Sequence, residues 1–182
     1  QGLMHENFRD LRTAAHAIDD EKSVWKRYRR KEIVGMRKID YLLAVEKNTW
    51  FHLGCNSITQ MIYGLKRMLE PCIEHVDNNF NPMPKAYIDE FIPICNDIDR
   101  FLEQADEMIK AGDFTQAEEL LVEGNAIKSH ISQVRHQQQD RIQQEDSNIR
   151  ASLLYLSTLQ ESQELMSIAR HLLRASKRFQ TQ

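Results

Sequence analysis

Hydrophobic residues recur at every third or fourth position through most of the chain, which is the spacing of one face of an α-helix. Residues 149–179 contain neither glycine nor proline, so the pattern predicts a single helix of about eight turns there. Its predicted core-facing positions are Leu154, Thr158, Glu161, Leu165, Ile168, Leu172, Ala175 and Phe179. In this interpretation the chain is organised around its last helix.

The apolar pattern fails in the middle of this helix, at residues 160–164. Glu161 falls on the core-facing line itself, and Gln160 and Glu164 fall on the line beside it. A carboxylate at a core position is costly unless it is paired, hydrogen-bonded, metal-bound or protonated. The sequence therefore predicts a polar site at the centre of the helix.

The same periodicity predicts helices elsewhere: a short amphipathic one at 3–18, a basic one that begins after a cap at Asp19 and Asp20, and others at 49–76, 85–110 and 114–143. Turn signals separate them at residues 77–84, at Gly112 and at 145–148. We expect Pro71 to kink or interrupt its helix.

Long helices joined by short connections predict an all-α, antiparallel up-down bundle of about four long helices, with the short helix and the basic helix before it. We divide the chain into an N-terminal helical segment, 1–45, and the bundle, 46–182.

Composition agrees with a globular helical protein. The chain has 182 residues, of which 41% are hydrophobic and 28% charged, with only 6 Gly and 4 Pro. Three cysteines without a C-x-x-C pair favour core packing in a reducing compartment over a disulfide framework. No apolar stretch is long enough for a membrane span, and no leader is visible. Because the chain opens on Gln1, we expect a fragment of a longer protein.

Charge is unevenly distributed. The chain has a formal charge of −3, whereas residues 22–38 contain eight Lys and Arg and one Glu, a charge of +7. This basic segment is either a solvated helix face or a surface attracted to anionic lipid or to an acidic partner. Nucleic acid is disfavoured because the aromatic residues lie on the opposite, packing side. The residues predicted to face a partner or membrane are Lys26, Arg27, Arg29, Arg30, Lys31, Arg37 and Lys38.

Motifs for catalysis are missing. The sequence has no phosphate-binding or dinucleotide-binding glycine pattern, no H-E-x-x-H and no Glu-x-x-His. Nothing marks a Ser, His and carboxylate trio as a nucleophile site. We therefore expect a protein that is not an enzyme and needs no cofactor.

Four segments resemble a known family: Asp-Asn-Asn-Phe-Asn-Pro at 77–82, residues 135–142, Leu-Tyr-Leu at 154–156, and residues 159–165. Together they resemble the PhoU-like cytoplasmic C-terminal region of bacterial sodium/phosphate cotransporters, over roughly residues 40–180. The resemblance implies a regulatory bundle at the cytoplasmic face of the inner membrane. It also implies the transmembrane part of the same chain as a partner, and leaves a homo-oligomer open.

In that family the last helix carries Glu-x-x-x-Asp, whose carboxylates bind metal. Here Leu165 stands four residues after Glu161, and an amide, Gln160, stands four residues before Glu164. Two alternatives remain beside the transporter domain. One is a freestanding helical adaptor that binds a protein through its acidic faces. The other is a bundle that binds a divalent metal through Glu161, Glu164, Asp99 and Glu103.

Overall fold

The computed structural model describes residues 2–3, 7–36, 41–143 and 148–181. These residues form five helices: α1 (Phe8–Met36), α2 (Tyr41–Asp77), α3 (Lys85–Ala111), α4 (Ala117–Gln143) and α5 (Ile149–Thr181). No strand occurs among them. The predicted all-α fold is confirmed.

The last helix, α5, packs against α2, α3 and α4. On the α2 side, Arg67 contacts Glu161 while the rings of Phe51 and Phe179 lie 6.2 Å apart. Residue numbers thus rise along α2 as they fall along α5, so the two helices are antiparallel. Over the described residues, α2 makes no close backbone contact with α3 or α4.

The remaining helices complete the up-down order. Glu118 of α4 contacts Lys177 of α5, and Arg135 of α4 contacts Gln160 of α5, so α4 and α5 are also antiparallel. Helix α3 packs against both α4 and α5. The predicted antiparallel bundle of α2 to α5 is therefore present, with α5 in contact with the other three.

Helix α1 packs along α2. Trp25 Nε1 donates a hydrogen bond to Thr59 Oγ1 at 3.0 Å, and Lys66 Nζ lies 3.3 Å from Asp19 Oδ1. The predicted break at Asp19 and Asp20 is wrong, because both residues lie inside a single helix. An aspartate costs only about 0.7 kcal/mol in a helix interior, and Asp19 gains Lys66 as an ion-pair partner.

Two other boundaries bear on the prediction. The predicted division at residues 45–46 falls inside α2, and the domain assignment stays a prediction. Pro71 lies within α2, and the helix continues through it to Asp77, so the predicted interruption is absent. The lost backbone hydrogen bond is one of many in a 37-residue helix, and the packing of α2 on α5 and α1 keeps the helix intact.

The turn after α2 falls within the predicted loop. Asn79 has a left-handed φ of 50°, its N–H donates to the Val76 carbonyl, and the Phe80 N–H donates to the His75 carbonyl. This pair of bonds is a Schellman motif, which satisfies the last carbonyls of a helix. The buried His75 ring also bonds through Nε2 to the Asn81 carbonyl at 3.0 Å, so this histidine anchors the loop.

The turn between α3 and α4 begins at Gly112 as predicted, but α4 starts at Ala117 and not at the predicted residue 114. Gly112 ends α3 with a left-handed φ of 69°, which glycine adopts without a Cβ penalty. Asp113 Oδ1 then accepts a hydrogen bond from the Thr115 N–H at 3.0 Å. The predicted turn at 145–148 lies outside the described residues except for Asn148, whose side chain accepts a bond from the Ala151 N–H.

The core contains buried residues from all five helices. Of the predicted α5 line, Leu154, Thr158, Leu165 and Ala175 are buried, and Glu161, Ile168, Leu172 and Phe179 are half-buried. A second line on α5 is buried more completely: Ala151, Tyr155, Leu159, Ser162, Met166, Ala169 and Leu173. The helix is therefore buried over a wider arc than one amphipathic stripe, because it has three packing partners.

Gly124 marks a close approach of α4 to its neighbours. A Cβ at this position would lie 2.7 Å from Phe101 Cε2 and 2.9 Å from Arg170 Cδ. Phe101 is fully buried, so an added Cβ would have to displace its ring within a packed core. Glycine therefore lets these helices pack at this spacing without such a shift.

The cysteines pack as predicted. Cys55 and Cys72 are buried and Cys95 is half-buried. Burial raises the pKa of the Cys72 thiol and that of the Cys95 thiol to about 11. These thiols are therefore neutral at physiological pH.

Candidate functional site

The polar centre of α5 faces an arginine of α2. Arg67 Nε lies 3.2 Å from both carboxylate oxygens of Glu161, and its Nη2 lies 3.0 Å from Glu161 Oε2. The Glu161 side chain is only 15% exposed, whereas that of Arg67 is 51% exposed. The hydrogen bond to Glu161 is the main reason that the pKa of Arg67 is raised. Glu161 is therefore a paired carboxylate at the edge of the core.

The pair belongs to a longer chain of polar contacts. Arg67 Nη2 also lies 3.5 Å from Glu164 Oε2, and Gln160 Nε2 donates to Glu164 Oε1 at 2.9 Å. Arg135 of α4 donates to Gln160 Oε1. We call these five residues the polar belt. It joins α2, α5 and α4 at the level where the apolar pattern of α5 fails.

The four predicted metal ligands do not form one cluster. Glu161 and Glu164 share Arg67, while Asp99 and Glu103 are exposed on α3. Within the described part of the chain, no group of three or more His, Cys, Asp or Glu side chains is placed to hold a metal ion. Two carboxylates and two guanidinium groups leave the polar belt without net charge. Metal binding by these residues stays a prediction.

The basic segment lies on the outside of α1. Lys26, Arg27, Arg30 and Lys31 are exposed, and Arg29 is half-buried. The described residues provide no ion-pair partner for these five side chains. Arg37 and Lys38 lie outside the described residues. We call the four exposed cations the α1 basic face. Val24 and Tyr28, 49% and 51% exposed, lie within the same stretch of α1.

An apolar groove lies between α2 and α3, whose backbones make no close contact over the described residues, and the N-terminal half of α1 also lines it, with Asp10, Leu11, Ala14 and Ile18. Its volume is about 600 Å³, and α5 lies beneath it. Leu65 and Ile92, 36% and 42% exposed, stand on its two sides. Asp99 also lines it, so an acidic side chain borders an apolar surface. Periodicity did not indicate this α2–α3 groove, because it depends on which pairs of helices fail to meet.

A second polar cluster joins α3, α4 and α5 near the α2–α3 loop. Arg141 donates to both oxygens of Glu90, at 2.9 and 3.1 Å, and Tyr155 donates its hydroxyl proton to Glu90 Oε2 at 3.0 Å. The rings of Tyr87 and Tyr155 stack with centroids 4.8 Å apart. Burial raises the pKa of Tyr155, and the Glu90 charge adds to the effect. Arg141 is paired with Glu90, and the contacts of this cluster connect α3, α4 and α5.

No helix in the described ranges combines the length and apolar character needed to cross a bilayer. Comparison of this chain with protein-family models, with curated proteins and with solved structures produced no match.

Proposed function

We propose that this chain is a non-enzymatic regulatory domain of a sodium-dependent phosphate transporter, held at the cytoplasmic face of the bacterial inner membrane. The sequence resemblance at residues 77–82, 135–142, 154–156 and 159–165 motivates the transporter assignment. The observation that carries the membrane-facing part is the α1 basic face. Its cations are exposed and have no ion-pair partner among the described residues, on a helix whose other side packs on α2.

The electrostatic magnitude supports this role. A basic residue near an anionic leaflet contributes about 1 kcal/mol. Four exposed cations therefore contribute roughly 4 kcal/mol, or about a thousandfold in affinity. The remainder of the chain is acidic and is repelled by the same surface, so the attraction also orients the bundle with α1 towards the membrane.

A contact route connects this surface with the bundle. Helix α1 is joined to α2 by the Trp25–Thr59 hydrogen bond and the Lys66–Asp19 ion pair. The next residue of α2, Arg67, binds Glu161 of α5. In the proposed mechanism, a shift of α1 at the membrane or against the transporter's transmembrane part repacks α2 on α5. The state of the transmembrane part is thereby coupled to the packing of the bundle.

Vesicle co-sedimentation tests the charge-driven part. The full chain is expected to bind vesicles containing phosphatidylglycerol at low salt, to bind purely zwitterionic vesicles far less, and to dissociate at high salt because exposed charges are screened. A variant with Lys26→Gln, Arg27→Gln, Arg30→Gln and Lys31→Gln is expected to lose most of this binding.

The matched control carries Lys85→Gln, Lys110→Gln, Lys128→Gln and Arg150→Gln, which change the net charge equally on α3, α4 and α5. It should bind anionic vesicles almost as well as the unmodified chain. Equal binding to neutral and anionic vesicles, or equal losses in the two quadruple variants, would refute a specific role for the α1 basic face.

A second candidate function is that of a helical adaptor, and the α2–α3 groove favours it. The groove exposes Leu65 and Ile92, and the acidic Asp99 and Glu103 lie on the α3 side. An amphipathic helix with an apolar stripe and basic flanks has the complementary chemistry.

The adaptor is tested with a labelled model helix of leucine and lysine, and with a leucine–glutamate helix as its charge control. Fluorescence anisotropy should detect binding of the leucine–lysine helix but not of the leucine–glutamate helix. Ile92→Glu should abolish binding of the leucine–lysine helix. Val122→Glu, on an exposed residue of α4, is the matched substitution and should have no effect. Binding of both helices, or equal sensitivity to both substitutions, contradicts the adaptor.

A further inference from the structure

A cavity of about 490 Å³ lies between α2 and α4, with the C-terminal half of α5 beneath it. We call it the α2–α4 cleft. Helices α2 and α4 make no close backbone contact over the described residues, which leaves space for the cleft between them. The residues that matter most are Trp50, Asn56 and Gln60 of α2 and Arg174, Lys177 and Arg178 of α5.

The α5 side of the cleft is positively charged. Of its three cations only Lys177 has a carboxylate partner in the described part of the chain, Glu118 at 2.7 Å. The Lys177 hydrogen bond lowers the pKa of Glu118 most, and the charges of Arg174 and Arg178 lower it further. One carboxylate thus serves three cations, and the local charge is positive in a chain whose total is −3.

The neighbouring Arg170 shows how crowded these charges are. It is only 7% exposed, and its Nε has no hydrogen-bond partner among the described residues. Burial lowers the pKa of Arg170, and the charge of Arg174 lowers it further. An anion bound beside Arg174 would offset this repulsion.

The α2 side offers a different chemistry. Trp50 is half-buried and lies at the level of Arg178, because the adjacent rings of Phe51 and Phe179 are 6.2 Å apart. Asn56 and Gln60 are exposed amides one helical turn apart on the same wall. The cleft therefore has an aromatic surface, two amides that donate and accept hydrogen bonds, and a cationic wall.

We propose that the α2–α4 cleft binds a nucleotide. Its phosphates contact Arg174, Arg178 and Lys177, its base stacks on Trp50, and Asn56, about 9 Å along α2 from Trp50, is the amide nearer to the base edge. A volume of about 490 Å³ is in the range of small-ligand sites and far exceeds what inorganic phosphate fills. Indole rings stack on bases, and amides pair with adenine edges.

This site uses side-chain cations, which is consistent with a sequence that lacks glycine-rich phosphate loops. It shares no residue with the α1 basic face, so it does not depend on the proposed membrane contact.

Isothermal titration calorimetry on the full chain, without divalent metal, tests the proposal with ATP, AMP, adenosine and inorganic phosphate. ATP should bind most tightly, AMP and adenosine progressively less, and inorganic phosphate least. Arg174→Gln with Arg178→Gln should weaken ATP at least tenfold and leave adenosine unchanged. Lys85→Gln with Lys110→Gln is the matched control and should leave ATP binding intact.

Trp50→Leu separates a nucleotide site from a general anion site. It should weaken ATP and adenosine but not inorganic phosphate. If its melting temperature drops below that of the unmodified chain, Asn56→Leu serves the same purpose at an exposed position. ATP that does not bind at millimolar concentration, phosphate that binds as tightly as ATP, or equal losses in both charge variants would overturn the proposal.

Discussion

The Arg67–Glu161 contact predicts a measurable coupling energy between α2 and α5. Exposed ion pairs contribute about 0.2–1 kcal/mol, and removing one partner of a fully buried pair costs about 3–5 kcal/mol. This pair lies between the two cases, with side chains 51% and 15% exposed. Solvent screening at Arg67 brings the expected coupling down to about 1 kcal/mol.

The single substitutions should be unequal. Arg67→Ala leaves Glu161 mostly covered and without its guanidinium partner, which should cost about 2 kcal/mol. Glu161→Ala leaves Arg67 free to reach water and Glu164, so it should cost about 1 kcal/mol. The double variant should lose about 1 kcal/mol less than the sum of the two, because the orphaned carboxylate is gone.

Urea unfolding of the four proteins measures this cycle, since guanidinium chloride would itself screen the pair. Repeating it at high salt should reduce the coupling. A third series adds Mg²⁺ or Mn²⁺. Arg67→Ala removes a cation that would compete with metal, so a metal site at Glu161 would become stronger in that variant. We expect no such stabilisation. A coupling of zero, or a metal-dependent rise in stability that Glu161→Ala abolishes, would refute the structural pairing.

Three further predictions concern packing, thiols and the α2 cap. Gly124→Ala should lower the free energy of unfolding by about 1 kcal/mol, because an overpacking cost of about 2 kcal/mol exceeds a helix-propensity gain of about 1 kcal/mol. Gly54→Ala, where an added Cβ would meet only an ordinary contact, should raise the free energy of unfolding by up to about 1 kcal/mol. Urea unfolding measures both. The raised thiol pKa values of Cys72 and Cys95 contribute stability that is present below pH 9.0 and lost as the pH approaches about 11. In unfolding measured against pH, a double alanine variant should therefore show a shallower decline in the free energy of unfolding over that window. Asn79→Gly should raise the free energy of unfolding by roughly 0.5 kcal/mol in urea unfolding. A lower free energy of unfolding would show that the left-handed conformation of Asn79 does not reduce stability.

Local sequence signals predicted most of the helices. The absence of breakers between 149 and 179, the glycine at 112 and the Asn-rich turn after α2 each act within a few residues, and each is found where the sequence placed it. Asp19 and Asp20 failed as a boundary because a capping residue can stay in a helix when nothing else stops propagation. Asp19 and Asp20 are residue types that favour the start of a helix, but no residue before them favours the end of one.

Long-range pairing could not be predicted in this way. Glu161 was identified as a carboxylate on the core-facing line, but its partner Arg67 lies 94 residues earlier in the chain. Nothing local distinguishes Arg67 from the other cations of α2. The α2–α3 groove and the α2–α4 cleft were missed for a related reason: in the part of the chain that the structure describes, α2 packs on α5 but makes no close backbone contact with α3 or α4.

The place of α5 in the chain has a consequence for synthesis. The ribosome makes α1 to α4 first, yet over the described residues α2 packs on α5 and not on α3 or α4. Until α5 emerges, the apolar sides of the earlier helices remain available to chaperones and to other nascent chains. Translation errors that remove α5 should therefore be as damaging as errors far upstream, and slow elongation through its codons should promote aggregation.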